Sequence, residues 1–369
     1  MTPTLSSRAS SPRYLILAQV LARRISNGEY AVGARLPVEK ELAQEFDVAV
    51  MTVRQGVGLL VKQGLVERRQ GLGTFVLRAP TNTANIAILV GDSLTVESAH
   101  YYRALVNRLR KGADRRKWDL RHYDEMNREI FPKADAARRA EQVLLDHRNL
   151  PFHGVVELVP GKRSIIPAEL VERLPSALFE PPTAHTDILG DDETFGCEAA
   201  RNLVQTGCRR LFFFSTQWEG YPMPGSIDAV LDEAARLGVS APAVHCLSLS
   251  SQGFEAENRI YQEFRQIVQS WKSPANRRKR PDGLIFNDDI ALRSAMPALL
   301  QEGFSVPEDF KIVCMTNEDA KFCYGAPIIR YEISPRAVAN HLLSALDCRM
   351  RGVKAPAPMK VTGRVVIEG

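Results

Sequence analysis

The chain has 369 residues, of which 45% are hydrophobic and 25% charged, and a formal net charge of +5. This is the composition of an ordinary soluble globular protein, which excludes collagen-like, low-complexity and fully disordered classes. No apolar run is long enough to span a membrane, and the six cysteines (Cys197, Cys208, Cys246, Cys314, Cys323, Cys348) lack the spacing of a zinc site or disulfide framework.

The charge is not evenly spread. Residues 1–80 hold 11 Lys/Arg against 6 Asp/Glu, so the whole positive excess sits on the first fifth of the chain. A small basic unit ahead of a neutral remainder is the charge distribution that phosphate binding requires.

In chain order, residues 1–12 read as a flexible Ser/Thr-rich tail without a signal-peptide core. Residues 13–78 read as a three-helix unit with a two-stranded wing. Its centre is Leu36 to Val76. Pro37 suits the first turn of a helix, and Leu42, Ala43 and Phe46 give that helix an apolar stripe. Phe46 to Ala49 is long enough only for a turn. A second helix is expected from about Val50 to Gly64, with Val53, Val57, Leu60 and Val61 on one face and Thr52, Arg54 and Gln55 on others. Leu65–Arg69 and Gly73–Leu77 then read as strands around the tip Gln70-Gly71-Leu72.

This segment resembles the winged helix-turn-helix of the GntR family of bacterial transcription regulators. The resemblance covers about residues 13–77 and includes the first helix, Tyr14 to Tyr30, with its closing Asn27-Gly28. It implies DNA-contacting roles for Lys40, Val50, Thr52, Arg54 and Gln55, and for Arg69, Gln70, Gly71, Gly73 and Thr74 at the wing. Arg54 is the leading guanine reader, because arginine on a recognition helix is the commonest partner of guanine. There are departures. Val38 replaces a small residue. Ala49 replaces a Ser or Thr cap, at about 1 kcal/mol. Val50 and Leu72 stand where the family has cations. An operator unlike the family's commonest ones is therefore expected.

Residues 79–84 read as a polar, proline-bearing linker. From residue 85 strands alternate with helices, the mark of parallel α/β sheets. Strands are expected at Asn85–Val90, Asp119–Tyr123, Gly154–Leu158, Leu211–Phe214, Ala243–Leu247, Gly283–Phe286 and Lys311–Met315. Helices are expected near 98–117, 135–147, 193–206, 226–237, 255–271, 290–302 and 335–350. Ligands of such sheets bind beyond the carboxyl ends of the strands. That rule selects Asp92, Ser93, Glu157, Thr216 to Trp218, Asn287 to Asp289 and Thr316 to Glu318, although Asp92, Asp288 and Asn317 equally suit helix caps.

Pro281 to Leu292 and Gly303 to Val313 resemble a LacI/GalR-type sensor domain, with Met359 to Ile367 as its closing strand. This resemblance covers about residues 85–369. It implies a two-lobed, periplasmic-binding-protein-like (type I) fold of the α/β class, a ligand cleft and a dimer. Two of that family's sugar-gripping residues are absent: Pro222-Met223-Pro224 precedes Gly225 where an Arg is usual, and Thr316 stands in place of an Asp. The expected effector contacts are Asp92, Ser93, Glu157, Trp218, Tyr221, Asn287, Asp288 and Thr316.

The expected function is a cytoplasmic, dimeric, sequence-specific DNA-binding regulator, repression being the family default. It would sense a small molecule such as a sugar or derivative and need no cofactor or metal. The alternatives are a DNA-binding dimer with a ligand-free vestigial sensor domain, and an α/β enzyme with a DNA-binding head. No nucleophile elbow, phosphate loop, dinucleotide fingerprint or metal-spaced histidine pair supports the enzyme.

Overall fold

The computed structural model describes residues 13–26, 28–77, 84–91, 100–124, 133–149, 151–158, 170, 174–179, 186–218, 224–240, 242–249, 253–319 and 324–367. The expected tail and most of the expected linker fall outside them.

The N-terminal unit contains α1 (Arg13–Ser26), α2 (Glu39–Glu45), α3 (Val50–Lys62) and a hairpin of β1 (Val66–Arg69) and β2 (Gly73–Val76). Its core joins Leu17, Leu21 and Ile25 of α1 to Leu42 and Phe46, to Val53, Val57 and Leu60 of α3, and to Val66 and Val76 of the wing. The turn before α3 holds Asp47 at φ 50°, a left-handed conformation that Asp tolerates better than most residues, and Gly64 at φ 67° ends the helix. Gly56 is required by close packing: a Cβ there would sit 2.7 Å from Leu17 Cδ2 and 2.9 Å from the Tyr14 carbonyl oxygen. Pro37 is not in the first turn of α2 as expected, because the helix starts two residues later with Val38 as its N-cap. A third segment joins the wing: Arg35 bridges Phe75, and Leu36 N–H donates to Thr74 O at 2.8 Å.

The remaining residues form two lobes. The first has a parallel sheet ordered β4 (Asp119–Tyr123), β3 (Asn85–Val90), β5 (Gly154–Leu158), β6 (Ser176–Leu178). One face is covered by α4 (His100–Arg116) and α10 (Pro335–Met350), through Leu105, Leu109, Leu342 and Leu346. The other is covered by α5 (Lys133–Asn149) and the segment carrying Phe152, with Ala87, Leu89 and Val155 facing Val143.

The second lobe has a sheet ordered β9 (Ala243–Leu249), β8 (Leu211–Trp218), β10 (Gly283–Phe286), β11 (Lys311–Asn317), β12 (Ile329–Ile333), β14 (Arg364–Ile367). Only β14 in this sheet runs antiparallel to its neighbour. Alternation along the strands divides its two cores. Phe212, Phe214, Leu284 and Phe286 pack on α8 (Phe254–Trp271) and α9 (Asp289–Gln301). Phe213, Ile285 and Val313 face α6 (Asp192–Gln205) and α7 (Pro224–Arg236).

The chain crosses between the lobes at three places. The first follows β7 (Ile188–Gly190), the second lies between β12 and α10, and the third follows β13 (Met359–Val361), which pairs with β7. Each crossing is tied down. Thr362 Oγ1 donates to Asp191 Oδ2 at 2.8 Å, and Gly363 N–H donates to the Tyr331 hydroxyl at 2.9 Å. Arg349 on α10 makes two 2.7 Å bonds to the carboxylate of Asp187.

Several sequence expectations need correction. The closing strand Met359 to Ile367 is two strands in two sheets, β13 pairing with β7 and β14 with β12, and at the break Gly363 leaves room for the Tyr331 ring, which a Cβ would approach to 2.4 Å. β8, β9 and β11 run two to four residues further than expected, so Thr216 to Trp218, Thr316 and Asn317 are strand residues and not loop residues. Pairing holds them there, with Trp218 opposite Leu249 and Thr316 opposite Glu332.

Candidate DNA-binding surface and effector cleft

On the N-terminal unit, α3 buries Val53, Gly56, Val57 and Leu60 against the core. At about 100° per residue, the opposite face is centred on Met51, Gln55 and Gly58, with Arg54 on its flank. Val50, Arg54 and Gln55 are exposed and Thr52 is half-buried. Ala49 supplies no side-chain cap, as its chemistry requires. At the start of α2, Glu41 reaches back to the Val38 N–H at 2.9 Å, satisfying one helix-end donor although Val38 itself cannot accept.

One carboxylate organises the cations here. Glu39 accepts from Arg54 Nε at 3.0 Å and from Arg68 Nη2 at 3.0 Å, and Arg68 also donates to the Arg54 carbonyl at 3.1 Å. Arg68 and Glu39 were not among the sequence candidates. Only the fold brings the first wing strand beside α3. Arg69 pairs with Glu67 at 2.6 Å and lies over the Phe75 ring at 4.7 Å. At the tip Gln70, Gly71 and Leu72 are exposed, with Gly71 at φ 74°. Thr74 is half-buried and Lys40 exposed.

Arg35, also unforeseen, lies across the wing. A Cβ on Gly73 would meet its Nε at 2.6 Å, so this glycine makes room for the guanidinium. The signal for Arg35 was weak, since only the pairing with Phe75 moves it from the helix approach to the wing. Behind the surface, Arg24 pairs with Glu45 and stacks on Phe46, and its hydrogen bonds to Glu45 and then Tyr30 outweigh burial and hold its pKa above the usual range.

In the lobes, Asp92, Ser93 and Tyr221 lie outside the described residues. Glu157 is buried near the carboxyl end of β5, Thr316 is buried near that of β11, and Trp218 ends β8. Thr316 Oγ1 on β11 and Ser215 Oγ on β8, two strands away, are buried without a hydrogen-bond partner among the described residues. Asn287 is engaged: its side-chain oxygen accepts from Thr216 N–H at 2.9 Å and its amide nitrogen donates to Thr216 O at 2.9 Å, stapling β10 to β8. Asp288 caps α9 by accepting from Ile290 N–H at 2.6 Å. Burial, and then the charge of Asp289, push its carboxyl up to about 6. Thr216 and Asp288 line one small cavity with Leu249, Gly253 and Ile260.

The lobes also touch through pairs that no local pattern announced. His100, at the start of α4, places Nε2 2.8 Å from Asp289 Oδ1, and both side chains are about 90% buried. Burial opposes a charge on His100, but the hydrogen bond to Asp289 and its charge outweigh that and raise its pKa. Just over two turns along the same helix, Arg108 Nε donates to Asp319 Oδ2 at 2.8 Å. Among the described residues there is no cluster of metal-ligating side chains, and no helix is long and apolar enough to cross a membrane. The five described cysteines are free.

Comparison with known proteins agrees with this geometry. Residues 13–76 match the bacterial regulatory proteins of the gntR family, and residues 200–369 match the periplasmic binding protein-like domain. The chain is 36% identical over 94 residues to the HTH-type transcriptional regulator YurK of Bacillus subtilis, covering 26% of this chain and 38% of that one. It is 24% identical over 319 residues to the arabinose metabolism transcriptional repressor of Geobacillus stearothermophilus, covering 82% of this chain and 81% of that one. The chain thus spans well under half of the first relative and about four-fifths of the second.

Among solved structures, the Cra transcriptional dual regulator of Pseudomonas putida, in complex with fructose 1-phosphate, superimposes with a TM-score of 0.55 at 16% identity, covering 78% of this chain and 99% of that one. The chain therefore carries a GntR-type helix-turn-helix domain followed by a periplasmic-binding-protein-like domain, whose fold is shared with LacI-type regulators.

Proposed function

We propose that the protein is a ligand-responsive, sequence-specific transcription regulator, acting as a repressor and as a homodimer in the cytoplasm. The observation that carries this reading is the α3 face. Arg54, Gln55 and Thr52 lie away from the core, beside a glycine-tipped wing and the basic strand residues Arg68 and Arg69. A recognition helix reads base edges with its N-terminal residues, and two copies on a dimer fit two half-sites. In this reading Lys40, Val50, Thr52, Arg54, Gln55, Arg69, Gln70, Gly71, Gly73 and Thr74 contact DNA, to which the geometry adds Arg35 and Arg68.

The effector is a sugar or sugar derivative held where the strand ends of the two lobes face each other. The named functions of the relatives support this class, and the unpartnered hydroxyls of Ser215 and Thr316 supply hydrogen-bonding capacity. Asp92, Ser93, Glu157, Trp218, Tyr221 and Asp288 complete the proposed contacts. Asn287 enters by positioning β8, since both ends of its amide are already engaged. That engagement also favours a second reading, in which the lobes serve dimerisation alone. The protein does no chemistry on its ligand.

The test has two parts. Full-length protein is used to select duplexes from a random library, and the selected duplex is titrated with wild type and Arg54→Ala at about 50–200 mM salt. Equal binding by the two proteins across that range rejects the recognition-helix assignment. Thermal melting is then followed with sugars and sugar phosphates. A rise in melting temperature that Trp218→Ala abolishes supports the sensor, and none across the set supports the dimerisation reading.

A further inference from the structure

Seven of the thirteen exposed large apolar side chains among the described residues fall within residues 13–77, so the small basic unit carries more than its share. Two of them open the recognition helix: Met51 is 59% exposed and Val50 40%. Met51 lies at the centre of the face opposite the α3 core, one turn before Gln55 and beside Arg54. Gly58, on the same face, has no atom of the described residues within 4 Å of where a Cβ would stand, so this part of the helix faces open space among them. Basic side chains flank this face: Arg54 on α3, with Arg68 of the wing held beside it through Glu39 and the Arg54 carbonyl. A polar, cationic surround with an apolar centre fits one partner surface well. The floor of the DNA major groove presents hydrogen-bonding edges everywhere except at the C5-methyl group of thymine.

We infer that Met51, supported by Val50, is a specificity-determining residue that reads thymine methyl groups in the operator half-site. The inference rests on the DNA-binding reading given above and goes further by naming the base and the atom recognised. The physical reason is twofold. Burying a methyl group against a thioether side chain strengthens binding by about fourfold per methyl, from the usual value of one buried CH₂ group. Placing the same side chain against the amino group of cytosine or adenine strips that donor of water and returns no acceptor, which disfavours those bases more strongly. An unbranched methionine follows the position of the methyl group better than a rigid side chain.

The experiment uses full-length protein and the duplex it selects from a random library. Each thymine of the half-site is replaced in turn by deoxyuridine, which keeps both hydrogen-bonding edges and removes only the methyl. At one or two positions wild type is expected to bind the uracil duplex about three- to fivefold more weakly. Met51→Ala is expected to bind the thymine and uracil duplexes equally there, while Met51→Leu keeps the difference. Comparing proteins on the same pair of duplexes cancels any change in DNA stiffness. Selected half-sites without thymine, a flat response to uracil at every position, or a uracil penalty undiminished in Met51→Ala would each overturn the inference. These outcomes differ from failure of the DNA-binding reading itself, which shows as no duplex bound in an Arg54-dependent manner.

Discussion

Glu39→Gln tests how the recognition arginines are held. In the structure Glu39 spans Arg54 and Arg68 at 3.0 Å each, while the two guanidinium side chains are 55% and 45% exposed and Glu39 is 26% exposed. Ion pairs this exposed contribute about 0.2–1 kcal/mol each. A glutamine retains one acceptor, so the substitution should lower the stability of the N-terminal unit by less than about 1 kcal/mol.

The effect on DNA is larger and of opposite sign. Glu39 is a negative charge beside the surface that meets phosphates, and in the free protein it occupies both arginines. Removing it frees two cations, each adding up to about one phosphate contact and so steepening the slope of log K against log salt by up to about 0.9 per contact. At about 50 mM salt, affinity for random-sequence duplex should rise roughly three- to tenfold, with the gain shrinking toward 200 mM. Affinity for the selected duplex should rise less, because Arg54 loses the partner that fixes its direction, so the ratio of specific to non-specific binding falls. Fluorescence anisotropy on both duplexes across that salt range measures all three quantities. Unchanged slopes on both duplexes, or weaker binding to random sequence, would refute the argument and move the DNA surface away from Glu39.

Three further predictions concern the framework. Arg349→Met strips the buried Asp187 carboxylate of its two charged donors and leaves it the Leu178 N–H. The cost should be about 3–5 kcal/mol by urea unfolding, most of it recovered when Asp187→Leu is added, since removing both charges restores balance. For pH, the raised pKa values of His100 and Asp288 act in the same direction. A raised histidine contributes stability that is present below its ordinary value of 6.5 and lost as the pH rises through its folded value. A carboxyl raised to about 6 likewise loses its contribution on ionising. The melting temperature of the lobes should therefore fall from about pH 4 to 6 through Asp288 and keep falling above 6.5 as His100 loses its proton, and His100→Gln should flatten the upper part of that dependence. Finally, Gly56→Ala places a methyl 2.9 Å from the Tyr14 carbonyl oxygen, which cannot rotate away. Overpacking of about 1–3 kcal/mol outweighs up to about 1 kcal/mol of helix propensity, so the N-terminal unit should melt earlier than in wild type.

What could be read from the sequence follows burial. Asn85–Val90 and Gly283–Phe286 were legible to the residue because both faces of each strand are covered, leaving unbroken apolar runs. β12 was missed because Ile329-Arg330-Tyr331-Glu332-Ile333 carries polar residues engaged in pairs, Arg330 with Glu332 at 3.3 Å and Arg364 with Glu332 at 3.0 Å. β6 and β7 have three residues each, too few to show a period. The wing was legible from its glycines, and α3 from its apolar stripe. Glu39 with Arg54 and Arg68 was not, because their partnership exists only once wing and helix pack. The same holds for His100 and Asp289, 189 residues apart.

Those interlobe pairs bear on how an effector of the proposed class would act. The three crossings are tied by Asp191 with Thr362, Tyr331 with Gly363, and Asp187 with Arg349, which leaves rotation about the crossings as the economical motion of one lobe on the other. Away from the crossings, α4 grips the second lobe through His100 and Arg108. The Arg108–Asp319 pair is 29% and 21% exposed, the range in which such contacts contribute about 0.2–1 kcal/mol, and the buried histidine pair exceeds that only while it is charged. Typical coupling between an effector and a distant site is about 1–3 kcal/mol. The grip of α4 is thus of the size that a ligand at the strand ends can reinforce or oppose. A ligand need not break a large interface; it need only differ in affinity between two placements of α4 relative to Asp289 and Asp319.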